Sequence, residues 1–228
     1  MADRETENTR ETGAGAYVWD LPTRLFHWSF LAAVATSLFT AEFGPMDIHL
    51  ISGHVVLALL VFRIAWGFAG GRHARFASFI KGPAKVMGYA RKTMSDGVSA
   101  HLGHNPMGGW SVVAMLAALV TQVASGLYAN DDILTEGPLA GTVSKSTSDL
   151  LTEVHEISGN VVYALIALHL AAVFYYTFKG QGIIGTMITG RSLDIDAAGA
   201  EGGAEGSLSR AIMIAAVAAG IAYAVMNY

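Results

Sequence analysis

The chain has 228 residues, 53% of them hydrophobic and 14% charged, with a mean hydropathy of +0.44. So charge-poor a composition argues against an ordinary soluble domain and points to an integral membrane protein. A net charge of −4 gives no support for nucleic-acid binding, and the lack of cysteine excludes disulfides, covalently attached c-type haem and cysteine-held iron–sulfur clusters.

Residues 1–17 (MADRETENTRETGAGAY) are polar and acidic and have no apolar core. They are expected to be a loose tail, not a cleavable signal peptide. Five apolar stretches follow, at residues 21–43, 48–69, 108–129, 149–178 and 209–227. Each is near the ~20 residues needed to cross a bilayer, although polar residues interrupt the first two and the fifth is only just long enough. Between the second and third, ARFASFIKGPAKVMGYARKTM mixes apolar and cationic residues and is expected to lie on the membrane face as a short amphipathic helix. Residues 192–208, with DIDAAGAEGGAEG at their centre, read as a flexible acidic linker before the last helix. The fold class expected is therefore all-α: a four-helix transmembrane bundle over residues 18–191, with a fifth helix at 209–228.

Orientation follows from the lysines and arginines. Arg72, Arg75, Lys81, Lys85, Arg91 and Lys92 lie between stretches two and three, whereas the turn between one and two holds no Lys or Arg. Between three and four there is only Lys145, against Asp131, Asp132, Glu136 and Asp149. The basic side is expected to be cytoplasmic, with the N-terminus inside and the C-terminus outside if the fifth helix spans.

This topology lets the histidines be compared by depth. His155 and His169 are fourteen residues apart in the fourth stretch, which is ~21 Å along a helix and ~40° short of four whole turns, so both leave from nearly one face. Polar side chains in hydrocarbon are costly and usually mark function. His155 and His54 each lie ~9 Å from the outer ends of their helices, while His169 and His27 lie ~30 Å and ~24 Å from theirs. The matched pairs are His54 with His155 near the outer face and His27 with His169 near the inner face.

Each pair would supply two axial imidazoles to one b-type haem, giving low-spin iron suited to electron transfer. Interhelical hydrogen bonding is the plainer alternative, but four imidazoles at matched depths favour ligation. Zinc is disfavoured, since no carboxylate, thiol or third imidazole is expected to converge on either pair. Arg63, nine residues after His54, needs an anion if buried; a haem propionate would serve, and snorkelling to the inner interface is the alternative. His104 and His101 precede the third helix, where hydrogen bonds to propionates or backbone are expected. His49 belongs at the outer interface, facing water, a quinone or a partner, and His73 is expected to be solvated. Ser52, Gly53, Ser158 and Gly159 would let a flat macrocycle approach the backbone, or serve ordinary helix packing.

The elements RLFHW, SGHVVLALLVFRIAWG, ARFASFIKGP, GHNPMGGW and VHEISGNVVYALIALH resemble the bacterial cytochrome b561 family, in particular the branch containing the b-type cytochrome subunit of membrane-bound nickel–iron hydrogenases. The resemblance covers roughly residues 17–191. It implies a four-helix bundle with two haems b in the bacterial inner membrane, and axial ligands at His27, His54, His155 and His169. It also implies electron exchange between the quinone pool and a periplasmic redox protein such as a c-type cytochrome or a dehydrogenase, as a subunit of a larger complex. Some relatives of this fold oxidise superoxide independently and pass the electron to quinone, but an outer face poor in Lys and Arg would steer that anion badly. A structural anchor would leave the four histidines unexplained.

Overall fold

The computed structural model describes residues 15–97, 101–193 and 206–228. Most of the N-terminal tail and of the acidic linker therefore lies outside the described residues. Five long helices dominate: α1 (Leu21–Phe43), α2 (Met46–Ala69), α5 (Pro106–Gly126), α6 (Lys145–Phe178) and α8 (Leu208–Met226). Three shorter ones, α3 (Phe76–Phe79), α4 (Pro83–Asp96) and α7 (Ile183–Thr189), join them at one end. The fold is an all-α membrane bundle, and helices are one of the two architectures that can satisfy their backbone polar groups in hydrocarbon.

Among the described residues α2, α5, α6 and α8 are long and apolar enough to cross a membrane. The 23-residue α1 is as long, but Arg24, His27, Thr36, Ser37, Thr40 and Glu42 dilute its apolar character. The helices begin where capping chemistry allows. Asp20 accepts from the Thr23 amide, with Pro22 in the first turn where its missing N–H costs nothing, Asn105 caps Gly108 in the same way ahead of α5, and Ser144 opens α6. The Ser144 cap starts α6 four residues earlier than the apolar pattern suggests, giving 34 residues or ~51 Å of helix.

Helix α2 is central, packing against α1, α5 and α8, while α5 and α6 form the second hairpin. Ala33 and Val34 of α1, Val56 and Leu60 of α2, Leu119 of α5 and Val162 of α6 make the middle of the core. The amphipathic segment breaks at Gly82–Pro83 into α3 and α4, and α4 buries none of its residues. The fifth helix is part of the bundle. Its small-residue stripe, Ala211, Ala218 and Ala222, is buried, and Ala211 and Ala218 pack with Phe62 and Trp66 of α2.

The basic end of the bundle is closely tied. Asp20, buried, accepts from the Thr23 amide at 2.9 Å, the Gly71 amide at 3.0 Å and Trp66 Nε1 at 3.4 Å. Arg210 donates to the Ala69 carbonyl at 2.9 Å and Arg24 to that of Ile188 at 2.6 Å. Ala16–Tyr17, expected to be loose, instead pair as β1 with β2 (Arg191–Ser192) in a short antiparallel ribbon. At the opposite, acidic end a loop folds on Asp131, whose carboxylate accepts from the Thr135, Ile133 and Leu134 amides. Those bonds hold its pKa down to about 2.

Candidate functional site

Between the α1–α2 and α5–α6 hairpins, towards the acidic end, lies a cavity of about 500 Å³ lined by His49, His54, His155, Gln122, Gly53 and Gly126 among others. That volume is within the range of cofactor-sized sites. His54 and His155, assigned to one depth by sequence, face this one space. The Nδ1 of His54 donates to the Leu50 carbonyl one turn back, at 2.7 Å. A carbonyl can only accept, so the proton sits on Nδ1 and the Nε2 lone pair is left over. His54 Nε2 is buried and has no hydrogen-bond partner.

His155 is oriented across the interface. Its Nδ1 donates to the backbone carbonyl of Gln122 on α5, at 2.8 Å. The Gln122 side-chain amide nitrogen lies 3.0 Å from His155 Nε2, and Ser158 Oγ donates to Gln122 Oε1. His49, expected at the outer interface, lies in the first turn of α2 and lines the cavity there, with Nδ1 2.9 Å from the Ser37 carbonyl and its ring edge-on to His155 at 6.2 Å. A third imidazole thus does approach the outer pair, contrary to expectation. Even so, among the described residues no three His, Asp or Glu side chains form a metal-holding group.

Two glycines give the cavity its shape. A Cβ at Gly53 would meet nothing within 4 Å, so this face of α2 is open. A Cβ at Gly126 would meet the His155 ring at 2.6 Å. Because Gln122 pins that ring, it cannot simply move aside. Gly126→Ala is therefore expected to displace the imidazole and abolish any ligand held at this pair while sparing the basic-end site, as read by the cofactor content of the purified variant.

At the basic end, His27, His169, His73 and Arg63 are all close enough to His104 to act on it electrostatically, and His27 feels His169 directly. His104 is wedged between Trp19 and Phe79, with ring centroids 4.9 Å from each, and its Nδ1 has no partner. Burial, reinforced by Arg63 and the imidazoles, pushes its pKa down to about 3, so it is neutral.

Arg63 is 5% exposed. It does not snorkel. Its guanidinium sits 5.1 Å from the Phe76 ring centroid and 6.0 Å from that of Phe79, and one terminal nitrogen is buried without a partner. His27 Nδ1 is also buried and unpartnered. His73 is not simply solvated, since its Nε2 is buried without a hydrogen bond and burial lowers its pKa. His101 instead packs edge-on against Tyr89 at 5.1 Å.

Sequence reasoning passed over Gln122. Its signal was present, since an amide within the third apolar stretch is as costly in hydrocarbon as an imidazole. Gln122 lines the cavity and binds His155 through both its backbone and its side chain.

A family model described as prokaryotic cytochrome b561 matches residues 18–190. The match runs from the end of β1 through α7 and leaves α8 outside it. No curated protein matches the chain, and no solved structure does.

Proposed function

Because the chain belongs to the prokaryotic cytochrome b561 family, a family of haem-b electron carriers of the membrane, we propose that it holds two haems b and carries electrons between the quinone pool and a periplasmic redox partner. The observation that carries this reading is the acidic-end cavity, where two histidines from different hairpins each tie Nδ1–H to a backbone carbonyl and keep Nε2 as a lone pair. Such anchoring fixes the tautomer and ring direction that axial ligation requires. The unpartnered His54 Nε2 and the open face at Gly53 fit a flat macrocycle that brings its own equatorial ligands.

His54 and His155 would hold the outer haem, and His27 and His169 the inner one. When bound, haem iron supplies a one-electron couple whose potential the axial ligands and surroundings set. The chain orients the imidazoles, excludes water through its apolar core and offers counter-charge for the propionates. Arg63 and neutral His104 are the propionate partners at the inner site, each with a buried nitrogen to spare. The basic end faces the cytoplasm of a bacterial inner membrane, with the N-terminus inside, by the bias of Lys and Arg. The partner on the outer face is a c-type cytochrome, a hydrogenase or another dehydrogenase within a multi-subunit complex.

The cation at Arg63 favours the reduced, less positive iron. Arg63→Leu is therefore expected to lower the inner haem's midpoint by roughly 60 mV, a tenfold change for one electron, and to leave the outer one in place. A redox titration followed optically checks this.

Function itself is tested in proteoliposomes containing quinol, with a membrane-impermeant acceptor on one side. Quinol-dependent reduction of the acceptor that needs all four histidines supports electron transfer through both histidine pairs. Haem-loaded protein that passes no electron in either direction leaves a tethering role.

A further inference from the structure

Gln122 does more than line the cavity, and every polar group it carries in this region is committed. Its carbonyl accepts His155 Nδ1–H at 2.8 Å, so His155 must keep an unprotonated Nε2. Its side-chain nitrogen lies 3.0 Å from that Nε2 and can only donate to it. Its Oε1 accepts from Ser158 Oγ, which also lies 3.2 Å from the His155 carbonyl; the lone pair on Nε2 requires that the nitrogen end of the amide, not its oxygen, face the imidazole. Ser125 Oγ, 3.5 Å from His155 Nδ1, adds a weak second contact. The directions agree around the whole network. By contrast, His54 Nε2, across the same cavity, has no partner at all.

We propose that Gln122 is a placeholder for iron at the outer site. Before haem is bound, its amide would cap the ligating nitrogen of His155, holding the tautomer that ligation needs and shielding Nε2. His54 is then the open side of the site and His155 the latched side. On loading, His155 Nε2 would exchange the amide hydrogen bond for the iron it would help to hold. Gln122 acts through His155 and is a positioning residue. The proposal rests on the reading of His155 as an axial ligand.

The test adds haemin to haem-free, full-length protein in detergent and follows growth of the Soret band, with the His155 tautomer read by ¹⁵N NMR before addition. Gln122→Leu removes the cap without replacing it. Outer-site loading should then accelerate roughly five-fold, the ratio that one ordinary hydrogen bond represents. Gln122→Glu presents a carboxylate that accepts from Nε2–H, drawing the proton onto the ligating nitrogen. It should slow loading about ten-fold or more, as a hydrogen bond to a charged group implies, and switch the tautomer signal. Ser158→Ala, which only loosens the amide, should accelerate loading by less than Gln122→Leu.

Opposite shifts for the Leu and Glu variants establish the latch, because a purely structural glutamine would slow loading in both. Slowing in both variants, or rates within two-fold of the wild type, overturns it. A His155→Ala control separates the two levels of the argument. If that variant still binds two haems, the axial assignment fails; if it binds one while Gln122→Leu changes nothing, only the latch fails.

Discussion

Alanine at His54 or at His155 is expected to lower the haem content of the purified protein from two per chain to one. Both imidazoles face one cavity from opposite hairpins, and each is held by its own carbonyl, Leu50 or Gln122. Either loss would leave one imidazole to hold a haem in an apolar space, so the outer site should empty. The double variant His54→Ala with His155→Ala should be no worse than either alone, since residues acting on one ligand are not additive. Combining His54→Ala with His27→Ala should remove all haem. The pyridine haemochrome assay reads each case, and a His54→Ala protein that retains two haems would contradict the pairing.

Trp66→Ala is expected to be the most destabilising single substitution away from the cofactors. The Trp66 side chain is fully buried, packs with Ala211 and Ala218 of α8, and donates Nε1 to Thr23 Oγ1 at 3.2 Å. Emptying such a site costs about 3–5 kcal/mol through lost burial and the cavity left behind. The variant also withdraws a donor from Asp20, the carboxylate that ties α1 to the end of α2. Release of α8 should follow, since its buried stripe is built of alanines that rely on the indole and Phe62 for contact. Phe178→Ala, at a side chain 88% exposed, should stay within about 0.5 kcal/mol. Denaturant unfolding of both variants in the same micelles gives the comparison, and a Trp66→Ala loss below about 1 kcal/mol would contradict it.

The features legible in sequence are those set by local chemistry. A run of about twenty apolar residues must be a helix in a bilayer, so α2, α5, α6 and α8 could be placed within a few residues. Histidines within such runs stand out, and helix rise alone ranks their depth. Features that depend on contacts between distant segments were not legible. Arg63 is buried because Phe76 and Phe79, beyond a turn, come back over its guanidinium. Gln122 meets His155 only because α5 and α6 pack side by side, thirty-three residues apart in sequence. The pairing of Ala16–Tyr17 with Arg191–Ser192 joins residues about 175 apart, and neither dipeptide announces a strand. His49 lies one turn from the start of α2, close enough to the cavity that the fold of α1 against α2 decides which way it faces.

Binding of two haems b by this chain, one per histidine pair, is the expectation on which the proposed function rests. Its most direct test is haem b per polypeptide in the purified wild-type protein, by pyridine haemochrome against amino-acid analysis, with a redox titration of the same sample. Two haems per chain with two resolvable, six-coordinate low-spin components is the result expected. One haem per chain, or none, would contradict it.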